Sequence, residues 1–145
     1  MKTIKEIAVK LENIPGALSN VSEVLSANGI SILALTVRPE GKTGAIHFVA
    51  NDPDRVVNVL ESAGLSPTVQ EVIAAEIPHH PGAVNTLLKI LKLAEVNIEY
   101  LYSWIGFPGA EGSNVMLLGV DNPAQAHDAL TREWVQLYGD ELYTL

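Results

Sequence analysis

The sequence predicts an α+β fold of two tandem βαββαβ units, each an antiparallel sheet with helices on one face. Three observations carry this. Apolar residues alternate with polar ones over 3–11, as in a half-buried strand. A strand–turn–helix passage built on Pro15-Gly16-Ala17 returns as Pro81-Gly82-Ala83, an offset of 81 − 15 = 66. An N-cap followed by proline, Asp52-Pro53, returns as Asn122-Pro123.

Taken in order, Ile7, Val9 and Leu11 point one way from the first strand, and Glu6, Lys10 and Glu12 the other. Pro15 is expected in the first helical turn, where its missing N–H costs nothing. Leu18, Val21, Val24 and Leu25 form a helical stripe that Asn28-Gly29 ends. A β-branched strand over 30–38 reads Ile32 and Ala34 on one face, and Leu33, Leu35 and Val37 on the other. After a hairpin loop at 39–44 comes a strand over 45–50. The Asp52-capped helix runs through Val56, Val57, Leu60 and Ala63 to Gly64, and a strand-like run covers 68–77.

The second half repeats the plan. Val84, Leu87, Leu88 and Leu91 share a helix face. The following strand puts Ile98, Tyr100, Tyr102 and Trp104 on one side, with Leu101 and Ile105 opposite. At the second helix the offset becomes 123 − 53 = 70, and the four added residues fall in the loop 106–113, where insertions cost little. A closing strand is expected at 141–145. Two βαββαβ units are two ferredoxin-like sandwiches, divided near Gln70 into 1–70 and 71–145. The run 67–77 must end the first and begin the second, as one long strand or two short ones. The apolar faces of the strands after each first helix favour units packed side by side and a homodimer.

Composition excludes whole classes. A formal charge of −8 and no basic stripe argue against nucleic acid and against an anionic membrane surface. With no cysteine there is no disulfide, thiolate metal site or Cys nucleophile. Apolar runs are too short for a signal core or a membrane span, so a soluble, cytoplasmic protein is expected. No catalytic constellation shows in the linear order, and no cofactor is implied. His79-His80 has no carboxylate or third histidine nearby in sequence, with His47 and His127 remote, so no metal site is expected. The glycines of 106–112 join two strands and open no helix, which makes them a hairpin loop and no phosphate cradle.

The motif Asn13-Ile14-Pro15-Gly16, followed at the helix end by Asn28-Gly29-Ile30-Ser31-Ile32, resembles the ACT domain, the small regulatory module of amino-acid metabolism. The second unit matches with His79-His80-Pro81-Gly82 and then Glu95-Val96-Asn97-Ile98. The resemblance covers essentially the whole chain, without a catalytic domain. It implies a free amino acid held between the first turn of one unit and the second strand of a neighbouring unit. The residues at the corresponding positions are Asn13, Ile14, Pro15, Gly16, Ala17 and Ser31 in the first unit, and His79, His80, Pro81, Gly82, Ala83 and Asn97 in the second. The first unit departs from the pattern at Ser31 and the second at His79. Each keeps a different half, which leaves a composite site open.

Those residues suit a zwitterion. The first helical turn offers unpaired N–H groups to a carboxylate. Gly16 and Gly82 let a ligand approach the backbone. Asn13, Asn97 or Ser31 can accept from an ammonium. Contacts of roughly 1.5–3 kcal/mol each, less binding entropy, imply micromolar to millimolar affinity. The expectation is a non-catalytic, allosteric amino-acid-binding protein. The alternative is an interaction or regulatory subunit of a metabolic enzyme with a vestigial ligand site, and a small enzyme is the least supported reading.

Overall fold

The computed structural model describes residues 1–109 and 111–145, so Ala110 of the expected loop insertion lies outside the described residues. The chain is α+β, with antiparallel sheets and helices in the order of two ferredoxin-like units. It forms two compact units, Lys5–Gln70 and Met1–Ile4 with Glu71–Leu145.

In the first unit β1 (Ile4–Glu12), β2 (Ile32–Glu40) and β3 (Thr43–Ala50) form a sheet in the order β2-β3-β1. Helices α1 (Ala17–Ala27) and α2 (Pro53–Ser62) pack on one face of it. Ile7, Val9, Val21, Leu25, Ile46, Phe48, Val56 and Leu60 make that core. Their spacing of two on the strands and of four on the helices is what brings them to one layer. Leu18, expected in the stripe, is 41% exposed instead.

In the second unit β4 (Thr68–Pro78, whose residues from Glu71 on belong to this unit), β5 (Ile98–Ser103), β6 (Ser113–Val120) and β7 (Leu137–Tyr138) run in the order β5-β6-β4-β7. Helices α3 (Ala83–Leu93) and α4 (Pro123–Arg132) cover one face. The run at 68–78 is one unbroken strand. The expected closing strand is displaced: β7 is the short pair Leu137–Tyr138, and Asp140–Thr144 turn into a 3-10 helix that buries Leu142. Lys2 anchors the N-terminus to this unit, its N–H donating to His127 Nε2 at 3.2 Å and its ammonium 3.6 Å from Glu141. Val84, expected on the buried stripe, is exposed, and Ala83, Leu87 and Leu91 form the buried stripe of α3.

Both second strands differ from strict alternation for the same reason. A bulge between Ile32 and Ala34 puts Ile32 opposite Ala50 and then Ala34 opposite Val49. The extra residue reverses the facing, so Ile32 shares the core side with Leu35 and Val37, and Ala34 faces away. The bulge between Ile98 and Tyr100 likewise separates Ile98 from Tyr100 and Tyr102 and places it with Leu101. Asp52 and Asn122 cap α2 and α4 as their sequence implies, accepting from the N–H of Arg55 at 3.3 Å and of Gln125 at 3.1 Å.

Candidate ligand-binding site

Pro15 and Gly16 do not begin α1. They form the corner of a turn in which Ala17 N–H donates to Ile14 O at 3.4 Å. Gly16, at φ 87° and ψ −13°, takes the left-handed position of a type II turn, with proline in the preceding place that its ring favours. Pro81-Gly82 repeats this: Ala83 N–H donates to His80 O at 3.2 Å, and Gly82 lies at φ 87° and ψ −9°. The turn pair, rather than a first-turn proline, is what the repeated motif encodes. A Cβ at Gly16 or Gly82 would meet no atom within 4 Å, so backbone conformation and not crowding calls for glycine.

Each turn is tied to the hairpin beside it. Asn13 N–H donates to Lys42 O at 2.8 Å, and His79 N–H to Gly112 O at 2.6 Å. Asn13 adds a side-chain strut, its Nδ2 donating to Gly41 O at 3.2 Å. His80 instead folds over its own turn, with Nδ1 donating to Pro81 O at 2.9 Å. Neither α1 nor α3 has a side-chain cap or an acidic residue in its first turn. Past Ala17 and Ala83, whose N–H groups close the turns, the next backbone N–H groups and the dipole of each helix start are uncovered, the arrangement that favours an anion.

Ser31 and Asn97 occupy the opposite ends of the helices. Ser31 N–H donates to Asn51 Oδ1 at 3.0 Å and Asn97 N–H to Asp121 Oδ1 at 3.0 Å. The 11 residues of α1 separate Asn13 from Ser31, roughly 16 Å of helix, and α3 separates His79 from Asn97 in the same way. Within a unit the structure gathers Asn13, Ile14, Pro15, Gly16 and Ala17 at one end and leaves Ser31 at the other. A depression of about 440 Å³ borders Asn97 together with Leu88, Lys92 and Glu95. A smaller cavity of about 180 Å³ lies under the second turn, lined by Glu76, His80, Ala83, Leu87 and Val135 among others.

Two polar clusters have no signal in the sequence pattern. Glu6, on the strand face read as solvent-facing, is fully buried. Its carboxylate lies 2.8 Å from His47 Nδ1 and accepts from Gln70 Nε2 at 2.5 Å. Residues 41 and 64 positions away in sequence supply these partners, so no local spacing announces them. Glu76 accepts from Tyr138 Oη at 3.1 Å and Ser113 Oγ at 3.3 Å. Burial, and then the adjacent Glu76 carboxylate, raise the Tyr138 hydroxyl pKa above the usual tyrosine value, so it stays a donor. Among the described residues no group of three or more His, Asp or Glu could hold a metal ion. No helix there is long and apolar enough to cross a membrane.

The comparisons with known proteins agree with this geometry. The family model of the ACT domain pair matches residues 2–144. Protein BT0572 from Bacteroides thetaiotaomicron superposes with a TM-score of 0.89 at 26% identity, covering 99% of this chain and 97% of that one. The ligand-free regulatory subunit of aspartate kinase from Thermus thermophilus superposes with a TM-score of 0.65 at 14% identity, covering 91% and 93%. The corresponding subunit from Thermus flavus gives 0.58 at 14%, covering 90% and 92%. These two likenesses are of fold. No curated protein matches the sequence significantly. With the family model spanning all but the terminal residues and the Pro-Gly turn present in both halves, the chain belongs to the ACT domain pair family.

Proposed function

We propose that the protein is a non-catalytic regulator that binds a small free amino acid at the Pro-Gly turn of an ACT unit. The observation that carries this is the duplicated type II turn feeding a helix whose first turn has no side-chain cap. The ligand carboxylate takes the N–H groups of Leu18 and Ser19, or of Val84 and Asn85, since those of Ala17 and Ala83 close the turns. Its ammonium meets Asn13 Oδ1 in the first unit, or Asn97 or Ser31 supplied by a second ACT unit, since one unit holds turn and strand start about a helix length apart. Edge strand β2, with Leu35 and Val37 exposed, supports pairing of two copies as a homodimer. The ligand then acts by favouring one arrangement of the assembly or of an enzyme partner over another.

Thermal unfolding of the full chain with each of the twenty amino acids at millimolar concentration tests this. At a hundredfold excess over Kd, a ligand adds about 2.7 kcal/mol of stability, and Gly16→Ala or Gly82→Ala should remove the response. Absence of stabilisation by every amino acid would sink the reading.

A second reading has its own observation. Asn13 already spends its Nδ2 donor on Gly41 O, and His79 stands in its place in the second unit. A turn used as a strut fits a protein-docking module with a vestigial ligand site. Capture of a metabolic enzyme by the ligand-free chain, undisturbed by any amino acid, would favour it.

A further inference from the structure

The two units fill one corresponding place differently. In the C-terminal unit Tyr138 pairs with Ala74 along β4. Its hydroxyl donates to Glu76 Oε1, which also accepts from Ser113 Oγ. Phe107 meets the Tyr138 ring edge-on, with centroids 5.8 Å apart. The repeat offsets map Glu76, Ser113 and Tyr138 onto Lys10, Thr43 and Thr68: 76 − 66 = 10, 113 − 70 = 43 and 138 − 70 = 68.

The strand registers agree with that mapping. Lys10 lies opposite Ala45 as Glu76 lies opposite Val115, and Thr43 pairs Glu12 as Ser113 pairs Pro78. Thr68 Oγ1 donates to Ala8 O at 3.4 Å, and Ala8 is the counterpart of Ala74. In the N-terminal unit, then, the ring is gone and the carboxylate has become an ammonium. The loop that carries Phe107 is also four residues shorter there. A cavity of about 630 Å³ opens in their stead, with Lys10, Thr43, His47, Leu65, Thr68 and Gln70 in its wall.

We propose that this cavity binds a small carboxylate that carries an aromatic ring. Its volume lies within the roughly 300–1,000 Å³ of small-molecule sites. No aspartate or glutamate lines it, and Lys10 is its one lysine or arginine. Buried Glu6 lies behind the wall with its carboxylate held by His47 and Gln70, and Lys10 is the charged side chain that the wall itself offers a guest. Among the described residues no ion pair joins Lys10. Thr43 supplies a hydroxyl where Ser113 serves the Glu76 carboxylate. Ala8, Ala45 and Leu65 give the apolar wall for the ring. The C-terminal unit is the filled version of the same place, with ring and carboxylate both supplied by the protein. No residue of the Pro-Gly turns lines the cavity, so the site stands apart from the amino-acid site proposed above.

The test is a heteronuclear NMR titration of the full chain with 4-hydroxyphenylacetate, with benzoate, and with butyrate as the aliphatic comparator. The aromatic acids should shift the amides of Thr43, His47 and Thr68 at millimolar concentration, and butyrate should bind about tenfold more weakly or less. Lys10→Glu should weaken the aromatic acids by about tenfold or more, and Lys10→Arg should retain them. Thr68→Tyr, which copies the C-terminal unit, should block them. If Thr68→Tyr loses its dispersed spectrum, the two Lys10 variants decide. The proposal is overturned if neither aromatic acid shifts these amides up to about 20 mM, or if Lys10→Glu binds as the wild type does. None of the three acids carries an ammonium, so a failure here leaves the turn site untouched, and an amino-acid response without an aromatic-acid response sinks this site alone.

Discussion

The N-terminal unit ends both of its helices on glycine, and the C-terminal unit ends both on side chains. Gly29 (φ 69°) and Gly64 (φ 84°) follow α1 and α2, whereas Glu95 (φ 57°) and Trp134 (φ 63°) hold the same places after α3 and α4. At the Pro-Gly turns the units do not diverge: Gly16 and Gly82 both lie at φ 87°. The difference separates two kinds of glycine. The left-handed well near φ 50–70° admits an L-residue at a cost of about 1–2 kcal/mol. The type II corner at φ 87° and ψ near −10° lies beyond that well. Glu95 and Trp134 carry side chains by settling in that well, whereas both turns keep glycine, as does the helix end at Gly64, whose φ of 84° also lies beyond it. Trp134 is 94% exposed, so it recovers little of that cost by burial.

A second exchange runs across the sheets. On the first, small Ala34 faces large Val49; on the second, large Tyr100 faces Gly119, and the ring lies over the glycine. Each pair fills its space with one bulky member, on opposite strands. A Cβ at Gly119 would fall 2.2 Å from the Tyr100 ring.

The largest expected effect comes from forcing the second unit into the first unit's choice. Gly119→Val should destabilise by about 1–3 kcal/mol through overpacking, and adding Tyr100→Ala should restore part of it. Denaturant unfolding of the four members of this cycle gives the coupling, and additive losses would break the comparison. Next are the turns: Gly16→Ala and Gly82→Ala should each cost about 1–2 kcal/mol, and Gly29→Asn less than either. Equal losses at turn and helix end would erase the distinction. Smaller again, Trp134→Gly and Glu95→Gly should raise stability by a few tenths to about 1 kcal/mol by relieving the left-handed side chains, net of glycine's entropy.

The smallest effect is a pH dependence confined to the C-terminal unit. The Gly139 N–H beside Glu141, then its own N–H and Lys2, hold its carboxyl below the usual range. A lowered folded pKa stabilises above the unfolded value, and the gain is lost as pH falls through the folded one. Glu141→Gln should thus lower Tm by about 1–2 °C at neutral pH, with the gap closing in acid. A gap that widened on acidification would contradict the assignment.

The repeat itself was legible because its carriers are local. Proline and glycine at fixed offsets, an Asp or Asn before proline, and runs of alternating apolar residues each act within a few positions. The facing of β2 and β5 was not, because a single bulged residue reverses every side chain beyond it and leaves no mark on composition. The closing strand was misplaced by similar logic: apolar Leu142 reads as strand, yet it is buried from a 3-10 turn. Of the expected ligand residues, the turn sets were readable as turns. Their separation from Ser31 and Asn97 by a whole helix also follows from chain order, once the helices are granted.

By itself the sequence determined two βαββαβ units, the places of the Pro-Gly passages and the caps of α2 and α4, since those depend on φ preferences, periodicity and neighbours a few residues apart. Only the tertiary structure decided that Glu6 is buried against His47 and Gln70, that Tyr138 closes over Glu76, and that the matching place beside Lys10 stands open. Those outcomes depend on side chains brought together from as far as 64 positions apart, and burial is a property of the packed layer that no local pattern encodes.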